Sequence, residues 1–169
     1  MITESLIQAI DRGREGREQG YSIGLSKLEQ VIDGACKGVY TLISAESGVG
    51  KSSFMLYSYV YRPLMDHLED NNFRISLFSL EMPADKIMAK LLSTYIFEKY
   101  NIRLSVKQLL SVQKGFILND ECYNIVKECI PWMKKVESIL TIYDKSATAN
   151  SIYSNILKEL EDRGRFEET

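Results

Sequence analysis

Residues 38–54 read GVYTLISAESGVGKSSF, and this stretch predicts the fold of the chain. Residues 39–43 form a short, uninterrupted run of β-branched, aromatic and aliphatic side chains, which is typical of a buried parallel strand. A loop with two glycines follows this run, and an apolar segment of helical character follows the loop. The order of strand, glycine-containing loop and helix predicts a phosphate-binding loop within an α/β fold.

The residue types of this loop suit a nucleotide phosphate. Successive backbone N–H groups can curl around a phosphate only where side chains do not obstruct them, which explains Gly48 and Gly50. A helix that begins near Lys51 adds unpaired N–H groups and the positive end of its dipole. Lys51 can reach the β- and γ-phosphates, and the Ser52 hydroxyl suits Mg²⁺. The predicted nucleotide ligands are Glu46, Ser47, Gly48, Val49, Gly50, Lys51, Ser52 and Ser53.

An ordinary turn that happens to contain a lysine is the alternative interpretation of this loop. The strict phosphate-loop pattern opens with glycine, and this chain has Ala45 at that position. Alanine is nearly as small as glycine, and a strand and a helix flank the loop. These two features favour the nucleotide site.

Length and composition describe an ordinary globular chain. The 169 residues are 45% hydrophobic and 26% charged, and the net charge of −2 gives no general attraction to nucleic acid. No run of about 18 apolar residues predicts a membrane span, and residues 1–10 lack the layout of a signal peptide, so we expect a cytoplasmic protein. Three cysteines argue against a disulfide framework, and their spacing does not favour a metal site.

The rest of the chain alternates between helical and strand patterns. Residues 73–80 and 138–143 read as two further strands, and helices are predicted from Ala84, from Asn119 and from Thr148. The resulting β-α-β order predicts a mainly parallel sheet. Four shorter features are also predicted: a capping box at Ser26–Glu29 that starts a short helix over residues 27–33, a kink or split at Pro63, a capping box at Ser105–Gln108, and a kink at Pro131.

Glu81 is the candidate for activating water. It lies where the second predicted strand meets its following loop, and ligands of open α/β sheets bind beyond the carboxyl ends of the strands. A carboxylate there could polarise a water in line with a γ-phosphate. Alternatively, Glu81 only favours the start of the following helix through the helix dipole. Position alone leaves both interpretations open.

Three segments resemble the motor domain of bacterial and phage replicative DNA helicases of the DnaB type, which has a RecA-like core. They are residues 24–28 (GLSKL), 45–52 (AESGVGKS) and 78–82 (FSLEM). The SLEM segment is quite specific, whereas many NTPases share the loop. Residues 141–144 (TIYD) resemble the next core strand, so the likeness continues in outline to the end of the chain.

The resemblance implies roles for these residues. Lys51 and Ser52 would bind ATP and Mg²⁺, Glu81 would be the catalytic glutamate, and Lys51 would assist catalysis. Residues 1–20 would be a linker helix or arm that packs on the next subunit of a hexameric ring, although their short apolar stripe equally allows fraying. Residues 21–169 would be a partial RecA-like ATPase domain. A tailed phage would be a typical source, with the host cytoplasm as the location.

The resemblance also implies that the chain is truncated after about three core strands. In that family the Mg²⁺-holding aspartate, the DNA-contacting loops and the arginine finger come later, so single-stranded DNA would bind through regions beyond this chain. An arginine finger is worth roughly 10³–10⁵ in rate. We therefore expect weak or undetectable ATPase activity from these 169 residues alone.

Three functions are compatible with these observations. The first is the ATP-binding part of a replicative helicase that couples ATP hydrolysis to translocation on single-stranded DNA and duplex unwinding. The second is a RecA-like regulatory or assembly ATPase, in which the nucleotide gates oligomerisation. The third, a small-molecule kinase, is disfavoured because the segment after Glu81 offers no obvious acceptor pocket or arginine-rich lid.

Overall fold

The computed structural model describes residues 2–16, 20–36, 38–112, 114–145 and 148–162. The chain divides into two compact units, residues 1–69 and 70–169. Helices account for most of the described secondary structure, and one small parallel sheet lies in the second unit. The α/β class predicted from the sequence is therefore confirmed in outline.

The first unit is helical. It contains α1 (Ile2–Arg14), α2 (Ser26–Glu29), α3 (Lys51–Met55), a π-helical segment (Leu56–Tyr61) and α4 (Arg62–Asp66). None of the residues of α1, all of which the structure describes, is buried. Its apolar stripe, formed by Leu6, Ile7 and Ile10, is about half exposed. The apolar side chains of the unit that are buried belong mainly to the π-helical segment and to α4.

The strand predicted over residues 39–43 does not form. This segment has no regular secondary structure, and the side chains of Tyr40 and Leu42 are 87% and 74% exposed. A strand needs a neighbouring strand to pair its N–H and C=O groups, and within the described residues the sheet has two members, which pair with each other. The prediction of three core strands is therefore wrong for the described part of the chain.

The helix continues through Pro63, but its backbone hydrogen-bond pattern changes there. Proline has no N–H to donate to the carbonyl four residues back, so the regular hydrogen-bond pattern cannot pass through it. The structure widens the preceding turn instead, because the Arg62 N–H donates to Tyr57 O, five residues back. Regular bonding resumes afterwards, and the His67 N–H donates to Pro63 O at 3.1 Å. The predicted kink or split takes the form of this π-helical segment.

Glu29 organises residues 22–29 in a way that the sequence does not predict. One carboxylate oxygen of Glu29, Oε1, accepts hydrogen bonds from the Ser22 hydroxyl at 2.8 Å, the Ile23 N–H at 2.6 Å and the Gly24 N–H at 3.1 Å. The predicted capping box is therefore wrong, since Ser26 is itself the first helical residue. These hydrogen bonds lower the pKa of Glu29 below its ordinary value. The bond from the Ser22 hydroxyl has the largest effect, and the bond from the Ile23 N–H has the next largest.

The second unit surrounds a two-stranded sheet with helices. It contains β1 (Ile75–Phe78), α5 (Ala84–Tyr100), α6 (Val106–Leu109), a 3₁₀ turn (Lys114–Phe116), α7 (Asp120–Glu128), α8 (Ile130–Ile139), β2 (Leu140–Tyr143) and α9 (Ala149–Asp162). The buried side chains of α5 and α8 form most of its core, and the Tyr95 and Trp132 rings stack at 4.2 Å between their centroids. Both strands are shorter than predicted, but their parallel pairing is confirmed.

The two faces of the sheet differ in chemistry. Ile75 pairs with Leu140 and Leu77 with Ile142, and these four apolar side chains share one face because side chains alternate along a strand. The opposite face carries Ser76, Phe78, Thr141 and Tyr143. There the Phe78 and Tyr143 rings stack, with their centroids 4.5 Å apart.

One carboxylate of helix α9 forms hydrogen bonds with the sheet face that carries Ser76, Thr141 and Tyr143. Glu159 accepts hydrogen bonds from the hydroxyl groups of Ser76 at 2.7 Å, Thr141 at 2.9 Å and Tyr143 at 3.2 Å. Two apolar residues of this helix, Ile156 and Leu160, are exposed. Polar contacts therefore connect this helix to the sheet.

Local helix signals are confirmed in the second unit. Ser105 and Gln108 form a capping box, with the Ser105 N–H 2.9 Å from Gln108 Oε1. Asn119 Oδ1 accepts from the Cys122 N–H at 2.8 Å and caps α7. Near Pro131 the helical structure is interrupted, so that α7 and α8 are separate helices.

Cys36, Cys122 and Cys129 are free thiols, and burial raises the pKa of Cys129. Across the described ranges, no group of three or more His, Cys, Asp or Glu side chains could hold a metal ion. In the same ranges, no helix combines the length and apolar character needed to cross a membrane.

The Glu29 contacts predict a pH-dependent stability of the first unit. Because the folded-state pKa of Glu29 is lowered, its stabilisation is complete above the ordinary glutamate pKa and is lost as the pH falls through the lowered value. We expect Glu29→Ala to reduce the urea midpoint at pH 7, with a smaller difference from the unsubstituted chain near pH 3. Asp11→Ala, a change of an exposed carboxylate on helix α1, is the control. Equal midpoints at pH 7 for Glu29→Ala and the unsubstituted chain would contradict the prediction.

Candidate functional site

The predicted phosphate loop is exposed and leads directly into α3. Gly50 is the residue before the helix and has φ +100°, and Gly48 has φ +82°. Side chains strain such conformations, which glycine adopts freely. A Cβ atom built on either glycine would have no neighbour within 4 Å. Backbone conformation rather than crowding therefore requires glycine here, and the space beside both residues is open to a ligand.

The Lys51 side chain forms hydrogen bonds with the backbone at the start of the loop. Its ammonium Nζ donates to Ala45 O at 2.6 Å and to Glu46 O at 3.2 Å. The side chain thus folds back across the start of the loop, so that a positive charge lies beside the loop backbone. The structure thus brings Lys51 together with Ala45 and Glu46, which take part through their backbone carbonyls.

The start of α3 presents N–H groups for an anion. The first intrahelical hydrogen bond runs from the Phe54 N–H to Gly50 O at 2.9 Å. The N–H groups of Lys51, Ser52 and Ser53 precede this bond, so they belong to the set that a helix cannot satisfy internally. Ser52 is half-buried on the first turn, where its hydroxyl could also serve as a ligand.

This loop fits a polyphosphate with its cation. It supplies backbone N–H groups, an ammonium group and a hydroxyl group within eight consecutive residues, and open space lies beside both glycines. The side chains of Glu46, Ser47 and Val49 are exposed, so these residues would contribute through their backbone. A divalent cation here would depend on Ser52 and the phosphate oxygens, since the described residues hold no three-membered cluster of metal-binding side chains.

Glu81 lies in the second unit, in the loop 79–83 at the carboxyl end of β1. Its side chain is exposed. The Ser79 N–H donates to Tyr143 O at 2.9 Å, which extends the parallel pairing one residue beyond β1. Ser79 Oγ also donates to Met82 O at 2.7 Å and accepts from the Met82 N–H at 3.1 Å. These hydrogen bonds therefore stabilise the backbone conformation of the loop that carries Glu81.

Asp144 completes this edge of the sheet, and sequence reasoning assigned it no role. It follows β2 directly, and its Oδ2 accepts from the Ala84 N–H at 2.9 Å, at the first residue of α5. One signal was present in the sequence: Pro83 immediately precedes α5 and has no side-chain acceptor with which to cap the helix. The first N–H groups of α5 therefore need an acceptor other than the preceding side chain, and Asp144 supplies one.

Comparison with known families places these features in context. The family model described as the DnaB-like helicase C-terminal domain matches residues 20–164, which include the phosphate loop, Glu81 and Asp144. A search of curated proteins and a search of solved structures each found no significant match to this chain. The family match covers far more than half of the 169 residues. The chain therefore belongs to the DnaB-like helicase C-terminal domain family.

Proposed function

We propose that this chain is the ATP-binding part of a replicative DNA helicase that couples ATP hydrolysis to translocation on single-stranded DNA and duplex unwinding. The observation that carries the proposal is the loop before α3, where two glycines with positive φ and the Lys51 ammonium surround open space at a helix N-terminus. Membership of the DnaB-like helicase family supports the assignment of this loop to ATP rather than to another anion.

Different residues of the loop would bind different parts of the nucleotide and its cation. Backbone N–H groups of residues 46–53 would donate to phosphate oxygens, and Lys51 would exchange its contacts with loop carbonyls for the β- and γ-phosphates. The Ser52 hydroxyl would be the protein ligand to Mg²⁺. The bound Mg²⁺·ATP supplies the transferable phosphoryl group and a cation that offsets its charge.

Glu81 would provide the general base. Its carboxylate would orient a water molecule and accept a proton from it, a contribution typically worth 10²–10⁴ in rate. Two observations support this role: Glu81 lies beyond the carboxyl end of a parallel strand, where α/β sheets bind ligands, and its side chain is exposed to an incoming molecule. Its loop is also held in one course by Ser79.

The proposal extends to partners. Single-stranded DNA would bind through regions beyond this chain, and the whole protein would work as a hexameric ring in the cytoplasm. A RecA-like ATPase in which the nucleotide gates oligomerisation is the competing function, and no specific observation favours it.

A direct experiment separates the two functions. ATP turnover by the parent protein, meaning the full product of the reading frame that encodes these residues, is measured with and without single-stranded DNA. A helicase motor should be stimulated by the DNA. An assembly ATPase should instead change its sedimentation when ATP is added, and single-stranded DNA should leave its rate of ATP turnover unchanged. That result would overturn the proposed function.

Changing the loop should weaken nucleotide binding. In calorimetry on the parent protein, we expect Lys51→Ala to raise the Kd for Mg·ATP at least about 10-fold and Gly50→Ala at least about fivefold. The first change removes the ammonium, and the second forces an alanine to adopt φ +100° at a cost of about 1 kcal/mol or more. Lys27→Ala on the exposed part of α2 is the matched control for lysine loss. Unaltered binding in both loop variants would refute the site.

Changing the base should separate binding from turnover. We expect Glu81→Gln in the parent protein to lower kcat by about 10²–10⁴ while the Kd for Mg·ATP stays within about twofold, because glutamine cannot accept the proton. Glu121→Gln, on the first turn of α7, controls for the loss of a surface charge. Persistent turnover in Glu81→Gln would show that another group activates the water.

A further inference from the structure

The end of β2 holds the Glu81 loop on both sides. Before Glu81, the Ser79 N–H donates to Tyr143 O at 2.9 Å. After Glu81, the Ala84 N–H donates to Asp144 Oδ2 at 2.9 Å. Two consecutive residues of one strand end therefore bond to the two flanks of a single short loop.

Inside the loop, Ser79 forms two further hydrogen bonds. Its hydroxyl donates to Met82 O and accepts from the Met82 N–H, so one side chain satisfies both backbone groups of the residue after Glu81. Ser79 is only 9% exposed, so water competes weakly for these bonds. The backbone on either side of Glu81 is thus fixed, and the exposed carboxylate extends from it.

The Asp144 contact is unlike the other helix starts of this unit. At α6 and α7 the capping side chain belongs to the residue immediately before the helix, which is Ser105 or Asn119. At α5 that residue is Pro83, whose side chain offers no acceptor, and Asp144 serves from 60 residues away in the sequence. A local cap would stabilise the helix alone, whereas this distant one also ties the end of the Glu81 loop to β2.

We propose that Asp144 is a positioning residue for Glu81. By accepting the Ala84 N–H, Asp144 fixes the point at which the loop enters α5, and this fixes the direction in which the Glu81 carboxylate extends. The inference rests on the proposed function, in which Glu81 is the base. Asp144 acts through the loop and not on the reacting atoms, so what it must supply is an acceptor oxygen rather than a negative charge.

Three variants of the parent protein test this role. Asp144→Ala removes the acceptor, and we expect kcat to fall about 10- to 100-fold, as for a misplaced catalytic group, while the Kd for Mg·ATP stays within about twofold. Asp144→Asn keeps an acceptor oxygen, and its kcat should stay within about threefold of the unsubstituted protein. Asn119→Ala is the matched control, because it removes a helix cap from the same unit without touching the Glu81 loop.

Amide hydrogen exchange provides a readout that does not depend on turnover. In the nucleotide-free protein, the Ala84 N–H should exchange at least 10-fold faster in Asp144→Ala than in the unsubstituted protein. It should remain protected in Asp144→Asn and in Asn119→Ala. Together, the kinetic and exchange results connect the hydrogen bond to the rate.

The possible failures are distinguishable. If Asp144→Asn loses as much kcat as Asp144→Ala while Ala84 stays protected, the charge of Asp144 matters directly and positioning is wrong. If kcat survives in Asp144→Ala although Ala84 exchanges rapidly, the loop does not need this bond, and positioning is again wrong. Full turnover in Glu81→Gln removes Glu81 as the base and the positioning role with it, but leaves the proposed function to the test with single-stranded DNA. No turnover in the unsubstituted protein overturns the proposed function itself.

Discussion

The supply of acceptors for backbone N–H groups at the starts of helices is the constraint on which this structure depends. A helix leaves its first N–H groups without internal partners, and each must find an acceptor in a side chain, in water or in a ligand. At α5, α6 and α7 this chain supplies side-chain acceptors: Ser105 and Asn119 locally, and Asp144 at long range. Helix α3 differs from these three helices, because Gly50 precedes it and has no side chain to offer. The same requirement that stabilises the other helices makes the start of α3 suitable for an anion.

Interactions within a few residues of one another could be predicted from the sequence. The capping residues Ser105 and Asn119 and the start of α5 after Pro83 all follow from local preferences that tertiary structure seldom overrides. The parallel pairing of β1 and β2 also follows, because a long helical connection leaves few other arrangements. The family could likewise be identified from the sequence, because short consecutive segments carry the resemblance.

Interactions between distant or competing partners could not be predicted. Residues 39–43 have strong strand propensity, but propensity does not supply the neighbouring strand that a strand requires. Glu29 matches the spacing of a capping box, yet three donors on residues 22–24 compete for its carboxylate and prevail. Glu159 lies on a helix that the sequence predicts, but its hydrogen bonds with three hydroxyl groups of the sheet join strands and helix that are distant in the sequence. Each outcome depends on the folded geometry rather than on spacing along the chain.

The π-helical segment before Pro63 has a consequence for reading relatives of this chain. A π turn accommodates one residue more than an α turn, and one residue corresponds to about 100° of rotation around a helix axis. Side chains of α4 are therefore out of phase with those of α3, and one helical wheel drawn through residues 51–66 would assign faces incorrectly. A homologue without this proline could lack one residue here and still keep both faces. An alignment of such sequences should place its single-residue gap within Leu56–Tyr61.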